Sequence, residues 1–149
     1  MLNEVDFPLT NSQISEFILD KGYTTYFRLQ SALAELTDSG LLKIELTHNR
    51  TLYNLTEEGA ATINYFRNKI SPEIRQEIDN FINEKKYDLK EEVSVKSDYY
   101  LNTNHEYEVK CQILENGSHL IDMTLTVPTQ TEAEAIVNNW NRKNQEIYA

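Results

Sequence analysis

The chain has 149 residues, 40% of them hydrophobic and 26% charged, with only 4 Gly and 3 Pro. That composition excludes collagen-like, linker-like and largely disordered chains, and leaves one compact domain or two small ones. The net charge of −10 repels nucleic acid and anionic membranes unless the cations gather on one face. No apolar run approaches the roughly 20 residues of a membrane-spanning helix, and Met1-Leu-Asn-Glu-Val-Asp6 lacks the basic and apolar regions of a signal peptide. Cys111 is the single cysteine, which excludes an intrachain disulfide and a multi-thiolate metal centre. The expected compartment is therefore a reducing cytoplasm, with no membrane partner.

In chain order, Leu9-Thr-Asn-Ser-Gln-Ile14 is a helix start. Thr10 at the N-cap and Gln13 at N3 form a capping box, with Leu9 and Ile14 as a hydrophobic staple. Ile14, Phe17 and Ile18 continue at helical spacing, and Gly22 stands where the helix ends. Thr24 or Thr25 then opens a second helix with Tyr26, Leu29, Leu33 and Leu36 on one stripe, closed by Asp38-Ser39-Gly40. Two short runs, 41–46 and 51–55, flank the polar stretch Thr47-His48-Asn49-Arg50 and predict a β-hairpin. Thr56 caps a third helix with Ala60, Ile63, Phe66 and Ile70 along one face. Helix, tight turn, helix, hairpin, helix is the order of a winged helix-turn-helix, expected over residues 1–70. Such domains normally carry one more helix ahead of these. Only Met1 to Phe7 precede them here, so the expectation is a truncated start or a partner over the exposed face.

Ser71 and Pro72, at N-cap and N1, begin a connecting helix over 71–87 with Ile74, Ile78, Phe81 and Ile82 on its apolar face and an end near Lys86. From Asp88 the period changes to two. Val93, Val95 and Tyr99 form one alternating run, Tyr107, Val109, Cys111 and Ile113 a second, and Ile121, Met123, Leu125 and Val127 a third. Asn116-Gly117 predicts a two-residue hairpin turn. Thr129 and Glu132 form a second capping box before a helix facing inward with Ala133, Ile136, Val137, Trp140 and Ile147. Residues 88–149 thus read as a β-β-β-α domain. The expected fold class is α+β: a winged helix-turn-helix followed by a three-stranded antiparallel sheet with a covering C-terminal helix. So thin a sheet leaves edges that need protection, which suits dimerisation or effector binding.

The stretches Asp6-Phe-Pro-Leu-Thr-Asn11, Gln13-Ile14, Asp38-Ser-Gly-Leu41 and Leu55-Thr-Glu-Glu-Gly59, with Ile70-Ser-Pro72, Leu120-Ile-Asp122 and Leu125-Thr-Val-Pro128, together resemble a bacterial winged-helix family catalogued as domain of unknown function 4364. The resemblance spans essentially the whole chain. It implies a winged-helix start, an appended α/β half and a role in transcription by fold analogy. It also implies an extra N-terminal helix, of which this chain holds no more than Met1-Leu2. It supplies no catalytic or ligand residues.

If the first half binds DNA, its second helix enters the major groove with the residues near its N-terminus reaching bases. The face opposite Leu29, Leu33 and Leu36 offers Arg28 for a guanine and Gln30 for an adenine, with Ser31 beside them. Thr24, Thr25 and the free N–H groups of the helix start suit a phosphate. The wing adds His48, Asn49 and Arg50, and its first strand Lys43. Charge tempers this reading: residues 1–70 hold 6 cations against 9 anions, net −3, and residues 71–149 hold 8 against 15, net −7. A monomer with two to four phosphate contacts would bind weakly, whereas a symmetric dimer doubles them and reads a palindrome.

The expected partners are double-stranded DNA and a second copy, with any small-molecule effector unidentified. The alternative is a winged-helix adaptor for a protein with a basic surface. His48, His105 and His119 share no ligand spacing. Cys111 on an alternating strand reads as a buried structural thiol. No phosphate loop, nucleophile elbow or paired-carboxylate motif is present. Neither cofactor nor enzymatic activity is expected. Tyr99, Tyr100, Tyr107 and Trp140 could line an aromatic pocket, but packing of the last helix on the sheet accounts for Tyr107 and Trp140 equally well.

Overall fold

A computed structural model describes residues 1–148, and the chain divides into two compact units, Met1–Lys90 and Glu91–Ala149. The first unit begins with a 3-10 turn (Leu2–Glu4) and continues through β1 (Leu9–Thr10), α1 (Asn11–Asp20), α2 (Tyr26–Asp38), β2 (Leu42–Leu46), β3 (Thr51–Leu55), α3 (Glu57–Phe66) and most of α4 (Pro72–Ser94). The second holds β4 (Val95–Leu101), β5 (Tyr107–Glu115), β6 (Ser118–Val127) and α5 (Gln130–Tyr148). This is the α+β class, with the expected helix-turn-helix and hairpin followed by a second antiparallel sheet and its helix.

The helix ends of the first unit follow from local chemistry. Both bonds of the capping box on α1 form: Gln13 N–H donates to Thr10 Oγ1 at 3.0 Å, and Thr10 N–H to Gln13 Oε1 at 2.9 Å. α1 closes on Gly22 at φ +70°, whose N–H reaches the Leu19 carbonyl at 3.0 Å while Tyr23 N–H reaches Ile18 at 3.3 Å. α2 closes the same way on Gly40 at φ +77°, with Leu41 N–H on the Leu36 carbonyl at 2.9 Å. These paired bonds satisfy carbonyls that a helix otherwise leaves open, and the positive φ favours Gly.

β2 and β3 pair antiparallel from Leu42↔Leu55 to Leu46↔Thr51, as the hairpin pattern predicts. A strand absent from the sequence reading joins them: Leu9 and Thr10 pair with Tyr53 and Leu52, giving the order β1-β3-β2. Leu9, Leu29, Leu33, Leu42 and Tyr53 then pack with Ile82 and Leu89 of α4 in one core. Gly59 in α3 is required by close approach, because a Cβ there would collide with the Leu41 carbonyl oxygen and the Leu55 side chain.

Three expectations fail here. Tyr26 is 59% exposed and Leu36 sits at the surface, so the buried stripe of α2 shrinks to Leu29 and Leu33. α3 stops at Phe66, a 3-10 turn (Arg67–Lys69) follows and Ile70 is extended, so Ile70 does not continue the face of Ala60 and Ile63. α4 does not end near Lys86 but runs to Ser94 and passes directly into β4. Its second half is rich in Lys and Glu and holds no Gly or Pro. Leu89 and Val93, four apart, are both buried. Helical spacing therefore outweighs the apparent alternation of Val93 with Val95.

In the second unit the sheet order is β4-β5-β6, antiparallel throughout. The β5–β6 turn places Asn116 at φ +51° and Gly117 at φ +79°, the two positive angles that match the twist of a tight hairpin. Ala133, Val137 and Trp140 of α5 cover Tyr99, Val109, Cys111 and Ile113. The inward face of α5 runs on through Asn144, whose amide donates to the Trp140 carbonyl at 2.9 Å, and not through Ile147, which is exposed.

Candidate nucleic-acid interface

α2 is held by its cap and its apolar stripe. Thr25 is its N-cap and accepts the Arg28 N–H at 3.3 Å through Oγ1. With Leu29 and Leu33 buried, Thr25, Tyr26, Phe27, Arg28 and Ser31 are exposed, and Thr24 is half-buried just ahead of them. The backbone N–H groups of the first turn add positive partial charge where Arg28 stands. Phe27, at 82% exposure, presents a large apolar surface at the same end, with no role assigned to it from sequence. Tyr26 was missed because heptad spacing placed it on the buried stripe.

Gln30 does not share this exposed position. Its Nε2 donates to Asn11 Oδ1 at 3.0 Å and Ser15 Oγ at 3.3 Å, and its Oε1 accepts from Asn11 Nδ2 at 2.7 Å. Asn11 Nδ2 also reaches the Tyr53 hydroxyl at 3.3 Å. Both ends of the Gln30 amide are thus spent holding α2 to α1, which corrects its assignment as a base reader. The physical reason is that a half-buried amide needs partners, and the neighbouring helix supplies them.

The wing carries the remaining candidates. Its four-residue turn is tied by Thr47 N–H to the Arg50 carbonyl at 3.0 Å and by Arg50 N–H to Thr47 Oγ1 at 3.2 Å. This leaves His48 and Asn49 exposed at the tip and Arg50 half-buried at the strand start. Lys43, exposed on β2 opposite Asn54, shares its strand face with Glu45 two residues on. Elsewhere in the unit, Lys21 pairs with Glu77 at 3.5 Å and Arg67 with Glu4 at 3.4 Å. Of the residues the sequence put forward, Arg28, Lys43 and Arg50 are the cations.

Beside the buried stripe lies an apolar cavity of about 320 Å³, partly open to solvent and lined by Ile14, Leu29, Leu33, Leu36, Ile63 and Phe66 among others. Leu36 and Phe66 are its exposed lips. No three His, Cys, Asp or Glu side chains come together for a metal among the described residues. No helix among them is long and apolar enough to cross a membrane.

In the second unit Tyr99 and Trp140 belong to the core, and Trp140 Nε1 donates to the Gln112 carbonyl at 3.3 Å. Packing thus accounts for these aromatics. Cys111 is buried on β5, and burial pushes its thiol pKa up, as for a structural thiol.

Fold and site together define an α+β protein with a helix-turn-helix, a β-hairpin wing and an appended sheet-and-helix unit. The chain belongs to the family described as Domain of unknown function (DUF4364), whose profile matches residues 1–149. No curated protein and no solved structure matches it significantly.

Proposed function

We propose that this protein is a winged-helix DNA-binding transcriptional regulator that acts in the cytoplasm as a homodimer, its second unit setting the spacing of two reading heads. The observation that carries this reading is the exposed N-terminal end of α2, where Thr25, Phe27, Arg28 and Ser31 stand clear of the core beside the first-turn backbone N–H groups, of which Thr25 caps that of Arg28. Arg28 reads a base edge, Phe27 supplies apolar contact to a thymine methyl or sugar, and Lys43, Asn49 and Arg50 of the wing hold phosphates. The chain's net −10 makes one copy too weak alone, so two copies on a palindrome supply the contacts.

The test is selection from a random duplex pool at low and near-physiological salt. A palindromic motif that survives the higher salt supports the proposal. Absence of enrichment refutes it. Arg28→Ala is expected to weaken binding by roughly 5- to 100-fold and relax one base position. Arg50→Ala should weaken all sequences alike and flatten the salt dependence.

The second reading, an adaptor for a protein partner, is favoured by the partly open apolar cavity with Leu36 and Phe66 at its lips. It predicts no motif in the selection, and a DNA background that disappears with salt.

A further inference from the structure

The sheet of the second unit treats its two edges differently. β4, at one edge, is seven residues long and carries Lys96 and Asp98. β6, at the other, is ten residues long with no Lys, Arg or Pro, and Asp122 is its one carboxylate. Its only register irregularity lies near the turn, between the Ile113 and Leu114 pairings, so Ile121 to Val127 run regularly along β5. Folded proteins usually blunt such an edge with charge, proline or a bulge, because its outward N–H and C=O groups invite another strand. From Ile121 onward only Asp122 blunts this one.

The side chains of β6 are also incompletely covered. Ile121, Met123, Leu125 and Val127 face the α5 side, opposite Ile113, Cys111, Val109 and Tyr107. Val109 and Cys111 are 0% and 1% exposed, yet their partners Leu125 and Met123 remain 42% exposed and half-buried. The helix seals β4 and β5 and covers β6 only in part. One strand therefore presents unpaired backbone and an open apolar row together.

We infer that β6 pairs with β6 of a second copy, antiparallel across a two-fold axis, to give a continuous six-stranded sheet. This gives an interface to the homodimer proposed above and rests on that reading. A second copy fits because antiparallel self-pairing supplies the missing backbone partners and the missing apolar neighbours in one operation. Directly opposed residues share a face, so the axis must pass at a residue. Centring on Asp122 would set two carboxylates against each other. Centring on Met123 sets Ile121 against Leu125 and Asp122 against Thr124; centring on Thr124 sets Met123 against Leu125 and Asp122 against Thr126. Both keep apolar on apolar and either spans seven or more residues of strand, within the usual range. Because the β4 edge is charged, pairing stops at six strands and does not propagate.

The experiment is sedimentation equilibrium of the full chain, the parent against Leu125→Glu and Leu125→Lys. Leu125 is exposed in one copy, so the variants keep the fold, checked by circular dichroism and melting temperature. Each sets an unpaired charge against Ile121 or Met123 of the second copy, whichever register forms. The expected result is a dimeric parent and variants whose dimer dissociates roughly 30-fold or more readily. A dimeric parent with equally dimeric, folded variants overturns the β6 interface and leaves the homodimer standing elsewhere. A monomeric parent at all concentrations overturns both, including when a foreign protein strand captures the edge instead.

Discussion

The two units leave apolar surface open in opposite ways. In the first, the opening lies between helices: the cavity beside Leu33 and Leu36 exposes side chains, while the backbone of α2 and α3 is already satisfied internally. In the second, the opening lies along a strand, and β6 exposes side chains and backbone hydrogen-bonding groups together. A helical face left open costs only hydrophobic contact and accepts occupants of many shapes. A strand edge left open demands a partner in register. The first unit is thus suited to variable contacts and the second to one fixed geometry.

The largest effect should come from truncating the core of the first unit. Leu52 is wholly buried, so Leu52→Ala is expected to destabilise the first unit by about 3–5 kcal/mol. Leu33→Ala removes the same atoms beside a cavity that already exists, and should cost nearer 2 kcal/mol. Urea denaturation of both variants measures the gap. Equal losses would show the cavity to be closed in solution and erase the contrast between the units.

A smaller effect separates structure from reading within α2. Gln30→Ala removes both Gln30 bonds to Asn11, which keeps only the Tyr53 and Ser15 hydroxyls, and should cost about 1–2 kcal/mol of stability while leaving DNA affinity unchanged. Arg28→Ala should do the reverse. Melting curves and binding isotherms on both variants check this, and loss of base preference in the Gln30 variant would return that amide to the interface.

The smallest effect concerns pH. The Tyr23 hydroxyl donates to Glu77 at 2.7 Å, and partial burial, with that bond and the Glu77 charge, pushes the phenol up to about 12. The phenol's ordinary value is 10, so the contribution is complete below that pH. It is lost as pH rises from there through about 12, because the unfolded chain ionises first. The same bond, aided by Lys21 and opposed by partial burial, holds the Glu77 carboxyl below its ordinary value. Its contribution is present above that ordinary value and fades as pH falls through the folded one. Tyr23→Phe should flatten the alkaline decline in urea midpoint and raise the Glu77 titration seen by NMR. An unchanged Glu77 titration would remove the phenol as its cause.

Much of the fold was legible because its signals are short-range. The capping box of Thr10 and Gln13, the closing glycines at 22 and 40, and Asn116-Gly117 each act within about four residues, so the local sequence contains every atom that decides them. Other features depend on what lies far along the chain. Gln30 on an exposed-looking helix face turned inward because Asn11, 19 residues away, stood ready to satisfy its amide. Leu9 and Thr10 became a strand because Leu52 and Tyr53 offered a free edge. α4 outran its expected end because no Gly or Pro stopped it and its buried spacing continued through Leu89 and Val93.

By itself, then, the sequence determined where most helices and strands begin and turn, since capping and turn energies are settled between neighbours. Only the tertiary structure decided which polar groups were consumed inside, which apolar rows stayed open and which strand edge was left without a partner. Those outcomes depend on burial and on hydrogen-bond satisfaction, and each is a property of surfaces brought together from distant parts of the chain.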